Sequence, residues 1–393
     1  MYIKRNLEKT IERYINKPEI IAVIGTRQCG KTTMISHMLE QYKNVNIITL
    51  EDVDNKILFE EDIKSFINLY VKGYDYLFID EVQYAKNSGK QLKYIYDTEK
   101  IKIIISGSSA TDLSISSLKY LVGRIMIFEL YPFSFKEFLS YKDERLYKIY
   151  QNKKFKQTIN RELQKYIKEF IKYGGYPRVV TSTSDEEKKL ILKNIFNTFL
   201  LREIKEILEL NKSDKLVKLL HALAFQVGNL LNYNELSQIT GFNYKNLKKY
   251  LAILEKTYIC QRCYPFFCNK RKELVKMPKI YFIDHGFRNQ CAGQFEFELQ
   301  TIGTIYENLV YSENFKKGYK LKYWRTKSQA EVDFIQNDQI PLEIKTTPKI
   351  TRSFLSFIKK YKPKTGYVVS ETEKESRKIH GCEVKFLPFS KFI

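Results

Sequence analysis

Short apolar runs alternate with amphipathic stretches over the first third of the chain. The apolar runs cover 20–25, 44–50, 74–80, 102–106 and 126–130. Each run has the length of a buried strand and is bounded by polar residues or glycine. Helical spacing follows the first run and recurs at roughly 54–71 and 87–98. Because strands and helices alternate, the pattern predicts a parallel sheet covered by helices, which is an α/β domain.

The pattern changes after the α/β segment, which we place at 1–138. Residues 139–211 are charged and helical, and we expect a helical lid or linker there. Residues 212–285 show three helices followed by a hairpin. Residues 286–393 mix one helix with several short strands. The chain is therefore predicted to have four segments, with a second α/β domain at the C-terminal end.

The segment GTRQCGKT (25–32) fits the phosphate-loop pattern G-x-x-x-x-G-K-[ST] and lies between a predicted strand and a predicted helix. In this context the N–H groups of the loop and of the helix N-terminus point at the phosphates of a nucleotide. Lys31 reaches the β- and γ-phosphates, and Thr32 offers a hydroxyl to Mg²⁺. The predicted ATP-binding residues are Gly25, Thr26, Arg27, Gln28, Cys29, Gly30, Lys31, Thr32 and Thr33.

The third apolar run leads into LFIDE (77–81), which ends on two carboxylates. Parallel strands share one carboxyl edge, so Asp80 is expected beside the phosphate loop, where it can hold Mg²⁺ together with Thr32. Glu81 comes next and can polarise the attacking water as a general base. The alternative is a solvated acidic pair at a strand end. Aspartate followed by glutamate favours a hydrolase over a small-molecule kinase.

The chain is strongly basic, with 67 Lys and Arg against 45 Asp and Glu and a net charge of +22. Such an excess suits a polyanionic partner, with nucleic acid ahead of a membrane surface, although a biased composition gives the same excess. No apolar run approaches the roughly 20 residues of a bilayer span. The N-terminal stretch lacks an apolar signal core, so we expect a cytoplasmic protein without a membrane partner.

Six cysteines are too few for a disulfide scaffold in a chain of this length. Cys260 and Cys263 form a C-x-x-C, which is half of a zinc-site pattern. No second C-x-x-C or paired histidines follow at a suitable spacing. We expect ordinary strand residues there and keep zinc as the alternative.

The helix–hairpin segment has the element order of a winged helix-turn-helix. Asn234 is predicted as an N-cap, and the helix over 243–257 buries leucines while it turns lysines outward. A basic turn at 269–273 would be the wing. A basic helix with a basic wing binds duplex DNA mainly through phosphates, although winged helices also dock proteins. The predicted DNA-contacting residues are Lys245, Lys248, Lys249, Lys270, Arg271 and Lys272.

The segment EVDFIQNDQIPLEIK (331–345) predicts a hairpin with one apolar and one acidic face. Side chains alternate along a strand, so cross-strand neighbours must share a face. A three-residue loop at 337–339 places Asp333 opposite Glu343 and sends the apolar side chains to the core. Carboxylates brought together in this way, with Lys345 beside them, suit a hard cation such as Mg²⁺ or Mn²⁺.

Several motifs resemble one known family in order and spacing over nearly the whole chain. They are GTRQCGKTTM, YLFIDEVQ, IIISGSSA, LVGRIMIFELYPFSFKEF and GGYP. The sequence resembles prokaryotic AAA+ ATPases, placed near the STAND-like ATPases, that carry a C-terminal domain of unknown function. The resemblance implies a five-stranded core in which Ser106 or Ser108 senses the γ-phosphate. It also implies that Arg124 is an arginine finger, often supplied by a neighbouring subunit, and hence a homo-oligomer such as a ring. Arg27 and Gln28 match the family pattern without an assigned role.

The acidic hairpin resembles the core of PD-(D/E)xK nucleases, a restriction-endonuclease-like α/β fold. Asp333 and the Glu343-x-Lys345 triplet match its motif, and Glu307 matches the glutamate of the preceding helix. The resemblance implies a metal site formed by Glu307, Asp333 and Glu343, with Lys345 next to the metal. Glu331 is an additional acid. A nuclease fold that binds nucleic acid without cleaving it has the same pattern.

These observations leave three hypotheses. The first is an AAA+ ATPase that binds DNA, including branched or junction DNA, and couples ATP hydrolysis to DNA processing or remodelling. The second is a nucleotide-dependent switch or scaffold with an inert nuclease-like domain and protein partners. The third is a metal-dependent nuclease gated by ATP.

Overall fold

The parallel sheet predicted from the first apolar runs is present in the computed structural model. The structure describes residues 2–107, 118–198, 214–267, 273, 276–297 and 301–393. The chain divides into two units, and each is described by itself. Unit 1 comprises Met1–Pro132 with Lys256–Tyr258, and unit 2 comprises Phe133–Glu255 with Ile259–Ile393. The division falls after Pro132, and the segments predicted after the α/β core belong to unit 2 except for Lys256–Tyr258.

Unit 1 contains a five-stranded parallel sheet in the order β2-β3-β4-β1-β5. Its strands are β1 (Ile20–Gly25), β2 (Val45–Thr49), β3 (Tyr76–Asp80), β4 (Lys102–Gly107) and β5 (Ile125–Leu130). Its helices are α1 (Glu8–Ile11), α2 (Lys31–Leu39), α3 (Val53–Glu61), α4 (Ile63–Tyr70) and α5 (Ser88–Thr98). The helical stretch expected over 54–71 is two helices, because Asp62 ends α3 and its carboxylate caps α4 by accepting from the Ser65 N–H.

The core of unit 1 lies on both faces of its sheet. Ile20, Ala22 and Ile24 belong to one apolar cluster, while Ile21 and Val23 belong to a second one. Successive side chains of a strand point to opposite faces, so a strand covered on both sides must be apolar throughout. This is why the central strands appear in the sequence as unbroken apolar runs.

The first part of unit 2 is helical. Its helices are α6 (Phe135–Lys142), α7 (Glu144–Gln151), α8 (Gln157–Tyr173), α9 (Pro177–Thr181) and α10 (Asp185–Thr198). Three more helices and a two-stranded antiparallel hairpin follow: α11 (Asp214–Phe225), α12 (Tyr233–Thr240), α13 (Tyr244–Lys256), β6 (Cys260–Cys263) and β7 (Lys279–Phe282). The N-cap of α12 is Asn232, whose side chain accepts from the N–H groups of Asn234 and Glu235. The prediction of Asn234 as the cap was therefore wrong by two positions.

The last part of unit 2 is a six-stranded mixed sheet in the order β12-β13-β11-β10-β9-β8. Its strands are β8 (Leu321–Arg325), β9 (Glu331–Gln336), β10 (Ile340–Ile344), β11 (Thr365–Ser370), β12 (Lys374–Ile379) and β13 (Cys382–Pro388). The accompanying helices are α14 (His285–Ala292), α15 (Ile302–Lys316), α16 (Arg352–Tyr361) and α17 (Phe389–Phe392). This sheet contains the acidic hairpin.

The register of the acidic hairpin is the predicted one. β9 and β10 pair antiparallel with Gln336 opposite Ile340 and Phe334 opposite Leu342, so the loop has three residues. Asn337 and Asp338 adopt left-handed backbone angles, with φ of 50° and 60°. Short polar side chains tolerate this conformation best, which accounts for the residue types in the turn. Continuing the register places Asp333 opposite Glu343.

The GGYP motif has a packing role inside unit 2. Gly174 has φ 76°, and a Cβ there would lie 2.3 Å from Oδ1 of Asp284. The same carboxylate accepts from the Gly175 N–H at 2.7 Å and caps α14 by accepting from the Phe287 N–H at 2.8 Å. Only glycine fits against this buried carboxylate, so the motif joins the end of α8 to the start of α14.

Candidate functional site

The phosphate loop connects β1 to α2 and depends on two glycines. Gly30 has φ 90° and immediately precedes the first residue of α2. A Cβ at Gly25 would lie 2.0 Å from the carbonyl oxygen of Leu130 on β5. Gly30 lets the chain turn into the helix, and Gly25 lets β5 approach the start of the loop. The predicted context, a strand followed by a loop and a helix N-terminus, is therefore confirmed.

Lys31 is buried inside this loop, with 4% of its surface exposed. Its Nζ donates to the carbonyl oxygens of Gly25 at 3.3 Å and Thr26 at 3.2 Å. These are neutral dipoles rather than carboxylates, so the ammonium charge remains available to a phosphate. The side chain is held across the loop in the position that the motif predicts.

Thr32 and Asp80, which the sequence predicts as Mg²⁺ ligands, come together at the carboxyl edge of the sheet. Thr32 Oγ1 donates to Asp80 Oδ2 at 2.8 Å. Ser106 at the end of β4 is fully buried and donates to the other carboxylate oxygen of Asp80. A hydroxyl and a carboxylate in contact are oxygen donors of the kind that Mg²⁺ prefers, so these residues fit the ion. Ser108, the other candidate sensor, lies outside the described residues.

Glu81 has an unusual backbone for a non-glycine residue, with φ 53° and ψ 48°. Its N–H donates to Ser106 Oγ at 3.1 Å, and its carboxylate accepts from the Gln83 side chain. A left-handed non-glycine residue costs about 1–3 kcal/mol and persists where the surroundings require it. Here the half-buried carboxylate of Glu81 directly follows β3 and is held by the side chain of Gln83.

Arg124 lies at the amino ends of the parallel strands, whereas the phosphate loop lies at their carboxyl ends. β5 pairs with β1 from Ile20 opposite Ile125 to Gly25 opposite Leu130, so Arg124 precedes the amino end of β5. Five strand residues at ~3.3 Å each separate the two edges by roughly 16 Å. The Arg124 guanidinium binds Asp97 at 2.9 Å, with 34% of its side chain exposed. Within one chain it does not reach the loop.

Arg5 is a residue of this site that no sequence pattern indicates. Its guanidinium is buried, with 4% exposed, and donates to the carbonyl oxygens of Cys29 at 2.8 Å and Tyr131 at 2.5 Å. It therefore joins the phosphate loop to the residue after β5. A single arginine in a short amphipathic stretch has no pattern that would have revealed this contact.

A second charged site lies in unit 2, and we call Glu307, Glu331, Asp333 and Glu343 the acidic cluster. Lys345 Nζ lies 3.3 Å from Asp333 Oδ2 and 3.2 Å from Glu343 Oε1. The N–H of Ile344 donates to the same Asp333 oxygen at 2.6 Å. Thr351 Oγ1, which also caps α16, donates to Glu343 Oε1 at 2.8 Å. The predicted trio of Asp333, Glu343 and Lys345 is therefore in direct contact.

Glu307 on α15 joins the cluster through residues that the sequence did not reveal. Tyr281 on β7 donates its hydroxyl to Glu307 Oε2 at 2.9 Å. Lys279 on the same strand places its Nζ 3.8 Å from that oxygen and 2.5 Å from Glu331 Oε1. Arg325 on β8 lies 3.5 Å from the other oxygen of Glu331. The β6–β7 hairpin thus supplies Lys279, a cation that is not part of the predicted motif of Asp333, Glu343 and Lys345.

The surroundings of the acidic cluster raise the pKa values of two of its carboxyl groups. Burial, and then the charge of Asp333, raise the pKa of Glu343 to about 8. The same two causes raise the pKa of Glu307 to about 7. Burial alone would lower the pKa of Lys279, but Glu307 and Glu331 outweigh it and raise that pKa. Burial and mutual repulsion therefore favour the protonated form of Glu307 and Glu343 over the ionised form.

The predicted metal-ligand set does not fit a metal as it stands. Over the described ranges, no three His, Cys, Asp or Glu side chains are arranged to hold a metal ion. Lys345 lies between Asp333 and Glu343, where a lysine is expected, and Lys279, which the sequence does not reveal, lies between Glu307 and Glu331. Glu343 Oε2 is buried and makes no hydrogen bond, so one ligand atom remains unsatisfied.

The C-x-x-C pair lies in strand β6 and is buried. Burial raises the pKa of Cys260 and of Cys263, which disfavours the thiolates that zinc requires. In the described part of the chain these cysteines are free thiols without a metal-binding group around them. The expectation of ordinary strand residues accounts for them.

The predicted DNA-contacting lysines of α13 are on the protein surface. Lys245, Lys248 and Lys249 are exposed, while Leu247 and Leu251 on the opposite face are buried. Lys248 Nζ lies 4.4 Å from the ring centre of Tyr244, which is also exposed. The predicted wing residues Lys270, Arg271 and Lys272 lie outside the described residues.

Three family models match separate parts of the chain. Residues 17–139 match an AAA domain, residues 164–298 match a domain of unknown function (DUF8612), and residues 302–392 match a further domain of unknown function (DUF4143). In the ranges that the structure describes, no helix combines the length and apolarity needed to cross a membrane.

Several proteins and solved structures are similar to this chain over most of its length, all at low sequence identity. An uncharacterized protein of Haemophilus influenzae is 24% identical over 98% of both chains. An uncharacterized protein of Methanocaldococcus jannaschii is 26% identical over 98% of this chain and 87% of the relative. A Walker-type ATPase of Pyrococcus abyssi has a TM-score of 0.47 at 17% identity, covering 74% of this chain and 96% of that one. The Aeropyrum pernix ORC1 protein in complex with DNA has a TM-score of 0.32 at 10% identity, covering 75% and 93%.

The AAA match covers the strands and helices that build the phosphate loop, and it agrees with the contacts of Lys31, Thr32 and Asp80. Residues 17–139 are therefore similar to an AAA domain and contain the contacts of a phosphate loop.

Proposed function

We propose that the protein hydrolyses ATP with Mg²⁺, binds DNA and couples hydrolysis to DNA remodelling or processing. The observation that carries the ATPase part is the contact between Thr32 Oγ1 and Asp80 Oδ2 beside the buried Lys31. This is the place where a phosphate-loop enzyme holds its nucleotide and ion.

Each residue of this site has a defined role in the proposed reaction. Lys31 binds the β- and γ-phosphates, and Thr32 and Asp80 would hold Mg²⁺, which neutralises phosphate charge when bound. Ser106 fixes the orientation of Asp80 through its hydroxyl. Glu81 orients the attacking water and accepts its proton at the carboxylate.

The ATPase proposal is tested by Lys31→Ala. We expect the variant to lose ATP binding in calorimetry and ATP hydrolysis in a steady-state assay, because the charge that the loop presents to phosphate is gone. Lys64→Ala on α4 is the matched control, since Lys64 is an exposed lysine of the same unit. Wild-type turnover by the Lys31→Ala variant would contradict the proposal.

The DNA-binding part rests on α11, α12, α13 and the β6–β7 hairpin, whose order is that of a winged helix-turn-helix. α13 exposes Lys245, Lys248 and Lys249, and the whole chain has a net charge of +22. Such a surface binds duplex DNA through its phosphates, without a base-specific code. Protein docking by the same surface is the competing use.

The test is duplex-DNA binding at several salt concentrations for a triple Lys→Gln variant at 245, 248 and 249. Wild-type affinity should fall steeply with salt, and the variant's log–log salt slope should be smaller by about 3, one for each lost phosphate contact. The matched control replaces three exposed lysines of unit 1, Lys64, Lys72 and Lys86, by glutamine. Wild-type affinity that does not respond to salt would contradict DNA binding and favour a protein partner.

We also propose that Arg124 acts on the nucleotide of a neighbouring copy in a homo-oligomer. The distance between the two edges of the sheet rules out its own loop, and Asp97 holds the guanidinium near the surface. Arg124→Ala and Glu81→Gln should each be inactive alone. Mixing them should restore activity, since one subunit supplies the arginine and the other supplies the glutamate. Full activity of Arg124→Ala by itself would contradict the assignment.

For the C-terminal domain we propose a nuclease-like fold that binds nucleic acid without cutting it. The ammonium groups against the carboxylates favour an inert domain over cleavage. Linear and forked DNA incubated with Mg²⁺ or Mn²⁺ should give no products with wild type or with Asp333→Ala. Products that depend on Asp333 would instead favour the ATP-gated nuclease.

A further inference from the structure

Lys279 is buried in a position where an ammonium group is costly. It is 2% exposed on β7, where its backbone pairs with Cys263. An isolated buried charge carries a penalty of several kcal/mol, so it persists only with close partners. Here the partners are carboxylates of two other elements, Glu331 on β9 and Glu307 on α15. The surroundings of Lys279 are therefore those of a cation site.

The charges of the whole cluster are nearly balanced by the chain itself. Glu307, Glu331, Asp333 and Glu343 face three cationic groups, and those are Lys279, Lys345 and Arg325. Each of the four acidic side chains lies within 3.8 Å of at least one of these groups. A divalent ion needs carboxylate oxygens that no ammonium group already holds. An ion that entered the cluster would have to compete with the ammonium group of Lys279, which lies between Glu331 and Glu307.

We propose that Lys279 is the resident cation of the acidic cluster, and that the cluster binds a divalent metal ion only when this lysine is removed. Lys279 Nζ lies within 3.8 Å of Glu307 and 2.5 Å of Glu331, which makes it the group that a metal would have to replace. The inference concerns the cluster alone and holds whether or not the chain hydrolyses ATP.

Lys279 also makes the cluster depend on the preceding hairpin. It comes from β7, whose partner strand β6 directly follows the proposed DNA-binding helix, whereas Glu307, Asp333 and Glu343 come from the C-terminal domain. Metal affinity and the position of β7 are therefore linked, because moving the strand withdraws the ammonium group. A metal ion and Lys279 compete for the same oxygens.

The test is Mn²⁺ binding to nucleotide-free protein, followed by the electron paramagnetic resonance signal of free Mn²⁺. Wild type should show no saturable site that depends on Asp333. Lys279→Met should bind Mn²⁺ at least about tenfold more tightly, because the variant no longer places a positive charge against Glu307 and Glu331. Adding Asp333→Asn to this variant should abolish the gain.

The matched control is Lys322→Met. Lys322 on β8 lies in an ion pair of the same unit, 2.9 Å from Glu273 and 2.8 Å from Asp338, outside the cluster. Its removal should leave Mn²⁺ binding at the wild-type level. Lys279→Arg, which keeps the charge, should also bind no Mn²⁺.

Two results would overturn the proposal. One is tight, Asp333-dependent Mn²⁺ binding by wild type, which shows that the lysine does not exclude a metal. The other is Lys279→Met affinity equal to wild type. If Lys279→Met does not fold, Mn²⁺ should restore its thermal transition while leaving that of wild type unchanged, since the ion supplies the missing charge. Failure of Mn²⁺ to restore it also overturns the proposal.

Discussion

The phosphate loop and the acidic cluster both collect charged groups, but they balance the charge differently. In the loop, the ammonium group of Lys31 donates to the backbone carbonyls of Gly25 and Thr26. In the cluster, the ammonium groups of Lys279 and Lys345 lie against carboxylates. A backbone carbonyl offers an ammonium group only a partial negative charge, whereas a carboxylate offers a full negative charge that neutralises it.

This difference determines which of the two sites can attract a charged ligand. Lys31 keeps most of its attraction for phosphate because its partners are neutral. The cluster already holds ammonium groups against its carboxylates, so an outside cation has to compete with them. Two sites with charged motifs therefore differ in what they can bind, and the following experiments test this comparison.

The largest expected effect is that of Glu81→Gln on ATP hydrolysis. Loss of the general base should lower turnover by about 10²–10⁴-fold while ATP binding persists, because Lys31 still holds the phosphates. Single-turnover hydrolysis and calorimetry measure the two quantities. Glu99→Gln, at the end of α5 in the same unit, should hydrolyse ATP normally. Equal activity of Glu81→Gln and wild type would remove Glu81 from the site.

The next effect is that of Lys345→Met on stability. Asp333 and Glu343 would lose the cation between them, and breaking such a buried pair costs about 3 kcal/mol. We take the lower end of the usual range because 35% of the Lys345 side chain is exposed. Denaturant unfolding measures the change. Lys385→Met, whose partner Glu383 is exposed, should be nearly neutral. A neutral result for Lys345→Met would show that the cluster does not need its internal cations.

Stability should also fall as pH rises across the range in which the cluster ionises. The folded-state pKa of Glu343 is raised from 4.5 to about 8, chiefly by burial. The folded state therefore holds the proton more firmly than the unfolded state between these values, and the free energy of unfolding decreases as pH rises through them. Unfolding curves of Glu343→Gln should vary less with pH over this range. An identical pH dependence in both proteins would mean that Glu343 has an ordinary pKa.

The smallest effect expected is that of Arg5→Met on nucleotide affinity. The carbonyl groups of Cys29 and Tyr131 would lose charged donors, each worth about 1.5–3 kcal/mol, and part of that loss should appear as a loosened loop. We expect ATP to bind about tenfold more weakly, which corresponds to about 1.4 kcal/mol. Arg13→Met, an exposed arginine of the same N-terminal stretch, is the control. Unchanged ATP affinity with lowered stability would make Arg5 purely structural.

The sequence predicted local features well because they depend on nearby residues. The five strands of unit 1 are apolar runs since both faces of the sheet are covered. The register of the acidic hairpin followed from alternation and a three-residue loop. The N-cap of α12 was missed because Asn232 and Asn234 are chemically equal, and only backbone geometry distinguishes them.

Long-range contacts could not be predicted, since no periodicity encodes them. Gly174 is required by Asp284, which is more than a hundred residues away along the chain. Arg5 contacts the phosphate loop through Cys29, and Lys279 reaches the cluster from a separate hairpin. Each contact joins two segments that are far apart in the chain, and the hydrophobic pattern of neither segment indicates the other.

By itself, the sequence determined the phosphate loop, the order of strands and helices in unit 1 and the acidic face of the hairpin, because these depend on residue types at short, fixed spacings. Only the tertiary structure decided how the charges are balanced. It left Lys31 among backbone dipoles and placed Lys279 among carboxylates. The reason is that electrostatic energy depends on distance and burial, which linear spacing does not specify.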